Sequence, residues 1–130
     1  MKKVAAALGL VAIVLVLGAC SSSAAAPASS GPPASVDPNA IQISAKDLKF
    51  STAQLNAPAG KAFTIAFDNQ EAAPHNVAIY KDQSASEKVF VQDPFGGPKA
   101  VTYQVGPLAA GSYFFRCDVH TDMKGTLTVK

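Results

Sequence analysis

A chain of 130 residues that opens with a long apolar leader has room for one small folded core. Eleven Lys and Arg against nine Asp and Glu give a formal charge of +2, and without a basic stripe this excludes an electrostatic grip on nucleic acid. Two His, two Cys, two Met and no Trp are too few side chains for a disulfide scaffold or for a centre built from many histidines.

Lys2 and Lys3 precede an unbroken small and apolar run from Val4 to Ala19. A basic start and a run too short for a comfortable membrane span read as a signal peptide. The run ends in Leu17-Gly18-Ala19-Cys20, which resembles the bacterial lipobox. That resemblance implies that Cys20 is alkylated with a diacylglyceryl group and becomes the mature N-terminus. The plainer alternative is an ordinary secretory signal followed by a chance Cys. Residues 1–19 are therefore expected to be a lipoprotein signal peptide. Residues 20–39 are expected to be the lipidated Cys and a disordered Ser/Ala/Pro tether, because Pro27, Pro32, Pro33 and Pro38 oppose regular structure and the composition cannot form a core. Such a tether reaches about 25 Å as a flexible coil. The expected location is the cell membrane, held by lipid and facing the periplasm or the extracellular side. Once Lys2 and Lys3 leave, nine basic side chains face nine acidic ones.

Residues 40–130 read as one all-β domain. Ile41 and Ile43 alternate with polar neighbours, as do Phe63, Ile65 and Phe67, then Val101, Tyr103 and Val105, then Leu127 and Val129. Runs of this length rich in β-branched and aromatic residues are half-buried strands. Turn signals stand between them at Pro58-Ala59-Gly60, Asp68-Asn69-Gln70, Pro94 to Pro98, Ala110-Gly111 and Lys124-Gly125. The pattern predicts seven to eight short strands in an antiparallel β-sandwich. Residues 83–87 fit a loop or a short helical turn.

His75, Val77 and Ile79 share one strand parity, and Tyr113, Phe115 and Cys117 share another. Parity therefore aims the His75 imidazole and the Cys117 sulfur inward at one end, with His75 expected from the opposite sheet. Cys117, His120 and Met123 fall within seven residues, so the turn folds all three around one point. Two imidazoles, a thiolate and a weak thioether are the donors of a mononuclear blue copper site. The expected ligands are His75, Cys117, His120 and Met123, binding one Cu(I)/Cu(II) ion. Asn76 is the expected neighbour that ties the His75 segment to the Cys117 loop by a hydrogen bond. Taken singly, a His after Pro is a strand-end residue, a Met core filler and a Cys an inert buried thiol. It is the spacing that makes them a set.

The segments Pro74-His75-Asn76-Val77-Ala78-Ile79-Tyr80, Gly111-Ser112-Tyr113-Phe114-Phe115-Arg116-Cys117, then His120, Met123 and Lys124-Gly125-Thr126-Leu127-Thr128-Val129 resemble the cupredoxin family. The likeness covers nearly all of residues 40–130. It implies a Greek-key β-sandwich, a type 1 copper and an electron-carrier role, with the edge of His120 meeting partners through an apolar patch. The short Cys-to-Met loop is similar to that of amicyanin rather than those of plastocyanin or azurin. Asp118 and Asp122 inside that loop, and the lack of Trp, depart from the common pattern.

The reading is a membrane-anchored copper protein that carries single electrons between soluble or membrane-bound redox proteins. It is expected to be a monomer, without nucleic acid, and not an enzyme in its own right. A Cu(I) carrier or chaperone is the alternative that the same ligands allow. A sandwich with an accidental ligand set is the third. Structural zinc fits less well because it does not use Met, and a binuclear copper centre needs two bridging cysteines.

Overall fold

The computed structural model describes residues 37–130. The expected signal peptide, Cys20 and the expected tether up to residue 36 lie outside the described residues. Among the described residues there are nine strands and no helix. They are β1 (Ile41–Lys46), β2 (Lys49–Phe50), β3 (Gln54–Ala57), β4 (Phe63–Asn69), β5 (Ala78–Tyr80), β6 (Lys88–Phe90), β7 (Lys99–Val105), β8 (Gly111–Arg116) and β9 (Lys124–Val129). One sheet has the order β2-β1-β4-β7 and the other β3-β9-β8-β5-β6.

Two details correct the sequence reading. The count is nine rather than seven or eight, because β2 and β6 are too short to carry a period. The sandwich is also mixed rather than purely antiparallel, since β1 pairs with β4 and β3 with β9 in parallel. Parallel neighbours need a crossover. Here the chain leaves β1, forms β3 in the other sheet and returns as β4.

Alternation sets the core. Ile43 and Ala45, Leu55 and Ala57, Phe63, Ile65 and Phe67, Tyr113 and Phe115, and Leu127 and Val129 point between the sheets and are buried. Each large apolar side chain so buried contributes about 1.5–3 kcal/mol. Phe50 packs on both Phe67 and Phe115, with ring centroids 6.3 and 5.6 Å apart. Residues 83–87 form a loop with a turn at Gln83-Ser84 and Ala85 at φ 52°.

The His75 segment differs from expectation. Regular pairing begins only at Ala78, and His75 forms an isolated bridge to Phe95 through reciprocal backbone bonds of 3.0 and 3.1 Å. Pro74 has no N–H to give. The carbonyl of Gln92 is taken by the Asn76 side chain at 2.7 Å instead of by a strand backbone. Nor does His75 come from the opposite sheet: β5 pairs directly with β8, so both ligand-bearing segments leave the same sheet.

Candidate metal centre

Cys117 follows β8 directly and keeps its inward parity, and the loop that it opens is closed by its own backbone. The Cys117 amide donates to the Met123 carbonyl at 2.8 Å, and the Met123 amide donates to the His120 carbonyl at 2.9 Å. Residues 117–123 thus form a small ring that returns at once into β9. Met123 is 3% exposed, and its neighbour Gly125 lies against the Phe115 ring. Its backbone is part of the loop that bears Cys117 and His120.

Three donor atoms converge. The Cys117 Sγ lies 3.7 Å from His75 Nδ1 and 3.8 Å from His120 Nδ1, and the two Nδ1 atoms are 3.2 Å apart. A triangle with those sides has a circumradius of about 2.1 Å, so a point exists within bonding range of all three. Metal–imidazole bonds are about 2.0–2.1 Å and metal–thiolate bonds about 2.3 Å for an ion of this size. His75 and Cys117 are fully buried, whereas His120 is half-buried beside Val119, which is 47% exposed. The donors therefore meet in the buried interior, with the His120 edge partly exposed. The residues present fit a copper ion: two imidazoles and a thiolate at one point, with a thioether in the same loop.

The orientation of His75 is set by a residue that sequence reasoning missed. Glu71 Oε1 lies 2.6 Å from His75 Nε2. A carboxylate there keeps the ring proton on Nε2 and leaves the Nδ1 lone pair facing Cys117. Glu71 is itself held, since Oε1 accepts from the Leu48 amide and Oε2 from the Asp47 amide, both at 3.0 Å. The Leu48 amide foremost, and then, against the opposing effect of burial, His75 and the Asp47 amide hold the Glu71 carboxyl below its ordinary value. Asn69, fully buried, donates to the carbonyls of Ala73 and Phe95 at 2.9 and 2.7 Å and accepts from the Glu71 amide at 3.1 Å. It pins the loop that carries both Glu71 and His75. Gly97 passes so close that an added Cβ would sit 2.2 Å from the Asn69 carbonyl oxygen. The Phe95-Gly96-Gly97-Pro98 turn is thereby packed against the His75 loop.

Asn76 joins the two ligand segments. Its Oδ1 accepts from the Asp118 amide at 2.8 Å, and its Nδ2 donates to Asp118 Oδ2 at 3.2 Å. Asp118 also accepts from the Tyr80 hydroxyl at 2.6 Å and from Arg116 Nε at 3.1 Å. Burial raises its carboxyl, but these donors outweigh that and hold it below the ordinary carboxylate range. The same pair raises Tyr80, through burial first and then Asp118. The carboxylate next to the thiolate is thus held inside the fold by three donors, and Asp122 alone of the loop acids is exposed.

Several solved structures are similar to this chain in fold. Auracyanin A, a "blue" copper protein from Chloroflexus aurantiacus, superposes with a TM-score of 0.63 at 24% identity, covering 70% of this chain and 98% of that one. The reduced auracyanin of Roseiflexus castenholzii gives 0.63 at 21%, covering 71% and 97%. Amicyanin from Paracoccus versutus gives 0.57 at 28%, covering 74% and 86%. The auracyanins, below 25% identity, establish the fold alone. A comparison with the curated proteins finds no match. The cupredoxin-like domain family matches residues 9–129, nearly the whole chain, and the protein belongs to that family.

Proposed function

We propose that this protein is a membrane-anchored mononuclear blue copper protein that carries single electrons between redox partners on the outer side of the cytoplasmic membrane. The observation that carries the reading is the convergence of His75 Nδ1, His120 Nδ1 and Cys117 Sγ on one point at metal-bond radius. Copper, when bound there, supplies a one-electron couple. The residues supply the rest. His75 is fixed by Glu71, Cys117 by the Met123 carbonyl, and the whole loop by Asn76. A site held from so many sides keeps its shape between charge states, which favours fast electron transfer. It also favours retention of the ion over release, so delivery of Cu(I) to another protein is the less supported reading. The half-buried His120 edge is where a partner approaches. Anchoring rests on Cys20 and the tether in the sequence, and it raises the local concentration of the domain near membrane-bound partners.

The test is to load the protein with Cu(II) and record its visible absorption and electron spin resonance before and after ascorbate. An intense blue band with narrow copper hyperfine splitting, bleached reversibly, is the expected result. A colourless protein that binds Cu(I) would move the reading to copper delivery. Cys117→Ser should lose the blue band altogether, and a variant that stayed blue would remove the assignment of the thiolate.

A further inference from the structure

On the face of the β8–β9 pair turned away from the core there is a cleft of about 340 Å³, lined chiefly by Gln83, Phe114, Arg116, Thr121, Lys124 and Thr126. Phe114 and Arg116 stand on the outward parity of β8, alternating with the buried Tyr113 and Phe115. Arg116 and Lys124 are direct cross-strand partners. Like charges placed opposite each other on one face destabilise a sheet, so this pairing calls for an anionic counter-group. Asp118 supplies one for Arg116, at 3.1 Å. Lys124 has no ion pair among the described residues. A second cleft of about 200 Å³ shares Gln83, Phe114 and Thr126 with the first and continues to Lys81 and Asp82. At that far end the charges offset each other, as Lys81 helps to hold the Asp82 carboxyl low after the bonds from Ser84. The uncompensated positive charge lies at the Lys124 end.

From this geometry we infer that the furrow is a docking face for the acidic surface of a redox partner, whose Asp or Glu side chains reach Lys124 and Arg116 over Phe114. A free small anion is the weaker occupant. The cleft offers no fully buried donor, and an exposed ion pair with a single small ion adds little. A protein surface adds contact area on Phe114 and excludes water from the cations, and charge complementarity of this kind acts mainly on encounter rate and orientation. Arg116 is bonded directly to Cys117, so a partner docked here lies beside the thiolate ligand, with Thr121, the chain neighbour of His120, also lining the cleft. One electron then crosses between the reduced and oxidised partners, with no bond made and no proton moved. The redox consequence rests on the electron-carrier reading, whereas the docking itself does not.

The test is a titration of the full-length protein, loaded with Cu(I), with a hexaglutamate peptide at low salt, followed by ¹H–¹⁵N correlation spectra. The expected shifts centre on Phe114, Arg116, Lys124 and Thr126 and fade several-fold in binding strength at physiological salt. Lys124→Glu should weaken binding by about fivefold or more, Lys124→Gln by less, and Lys61→Glu, which changes the net charge equally outside the furrow, hardly at all. Shifts spread over unrelated lysines, no shifts, or equal binding by Lys124→Glu would overturn the inference. Oxidising the same samples and recording their blue band reports separately on the copper reading.

Discussion

Glu71 shows how much of the centre depends on a side chain that is not a ligand. It joins three elements at one carboxylate: the turn at Asp47-Leu48, its own loop and the imidazole of His75. Outer partners of metal-binding histidines commonly account for 10–100-fold in affinity. Glu71→Ala should therefore weaken copper binding by about that factor, measured by competition with a chelator of known affinity. An unchanged affinity would mean that the carboxylate serves only the turn. Tyr103 is the opposite case. Its hydroxyl is buried with no partner, and burial alone pushes its pKa up to about 12. Its ring packs on Phe67 and Phe90, at 6.2 and 5.6 Å, contacts that a phenylalanine keeps. An unsatisfied buried polar group costs about 1–3 kcal/mol, so Tyr103→Phe should leave stability unchanged or raise it by about 1 kcal/mol in urea unfolding. A clear loss would reveal a partner for the hydroxyl.

At the scale of elements, the metal centre depends on how closely β8 and β9 run together. Gly125 sits opposite Phe115, and a Cβ there would lie 2.4 Å from the ring and 2.3 Å from the Ala53 carbonyl oxygen. Both neighbours are fixed, one as a fully buried core ring and the other as backbone. Overpacking of this kind costs about 1–3 kcal/mol. Gly125→Ala should lower the urea midpoint accordingly and speed copper loss, because β9 carries the strand into which Met123 closes. Unchanged stability would mean that the Phe115 ring can move aside.

The elements divide by how plainly the sequence wrote them. β4 alternates at Phe63, Ile65 and Phe67, β7 at Val101, Tyr103 and Val105, and β9 at Leu127 and Val129, so period and face were legible. In β8 three aromatics stand in a row, and the shared parity of Tyr113, Phe115 and Cys117 gave the face. β3 alternates too, but its inward residues are only Leu55 and Ala57, too weak a signal to stand out from a loop. The Cys117–Met123 spacing was legible because the three ligands share one turn. Glu71 was not. It meets His75 four residues later, and in a β chain nothing marks that spacing until the loop is folded back by Asn69. The sheet that holds His75 was also out of reach, because parity gives a side chain's direction but not the neighbour of its strand.

For the whole molecule, the ligands divide into a local trio and one distant member. Cys117 is a free thiol, and no disulfide joins the two parts among the described residues. Copper would add a coordinate cross-link between residue 75 and the 117–123 loop to the hydrogen bonds that Asn76 already makes with Asp118. A ligand stabilises a fold only by the difference between its affinities for the folded and unfolded chain. With free copper at about 1,000 times the dissociation constant, and no binding to the unfolded chain, the gain is about 4 kcal/mol. In a domain of this size each kcal/mol is worth about 4–8 °C, so copper should raise Tm by roughly 15–30 °C at most. The unfolded chain is not inert, however. Its Cys117, His120 and Met123 remain close along the sequence and can still hold copper, which reduces the gain. His75 is different, because its distance from the trio makes it a ligand in the folded state alone. His75→Ala should therefore retain measurable copper binding yet lose most of the copper-induced rise in Tm, read by calorimetry with and without the metal. If the variant kept the full rise, the local loop would be the whole of the site, and the fold would not be what brings the fourth ligand to the ion.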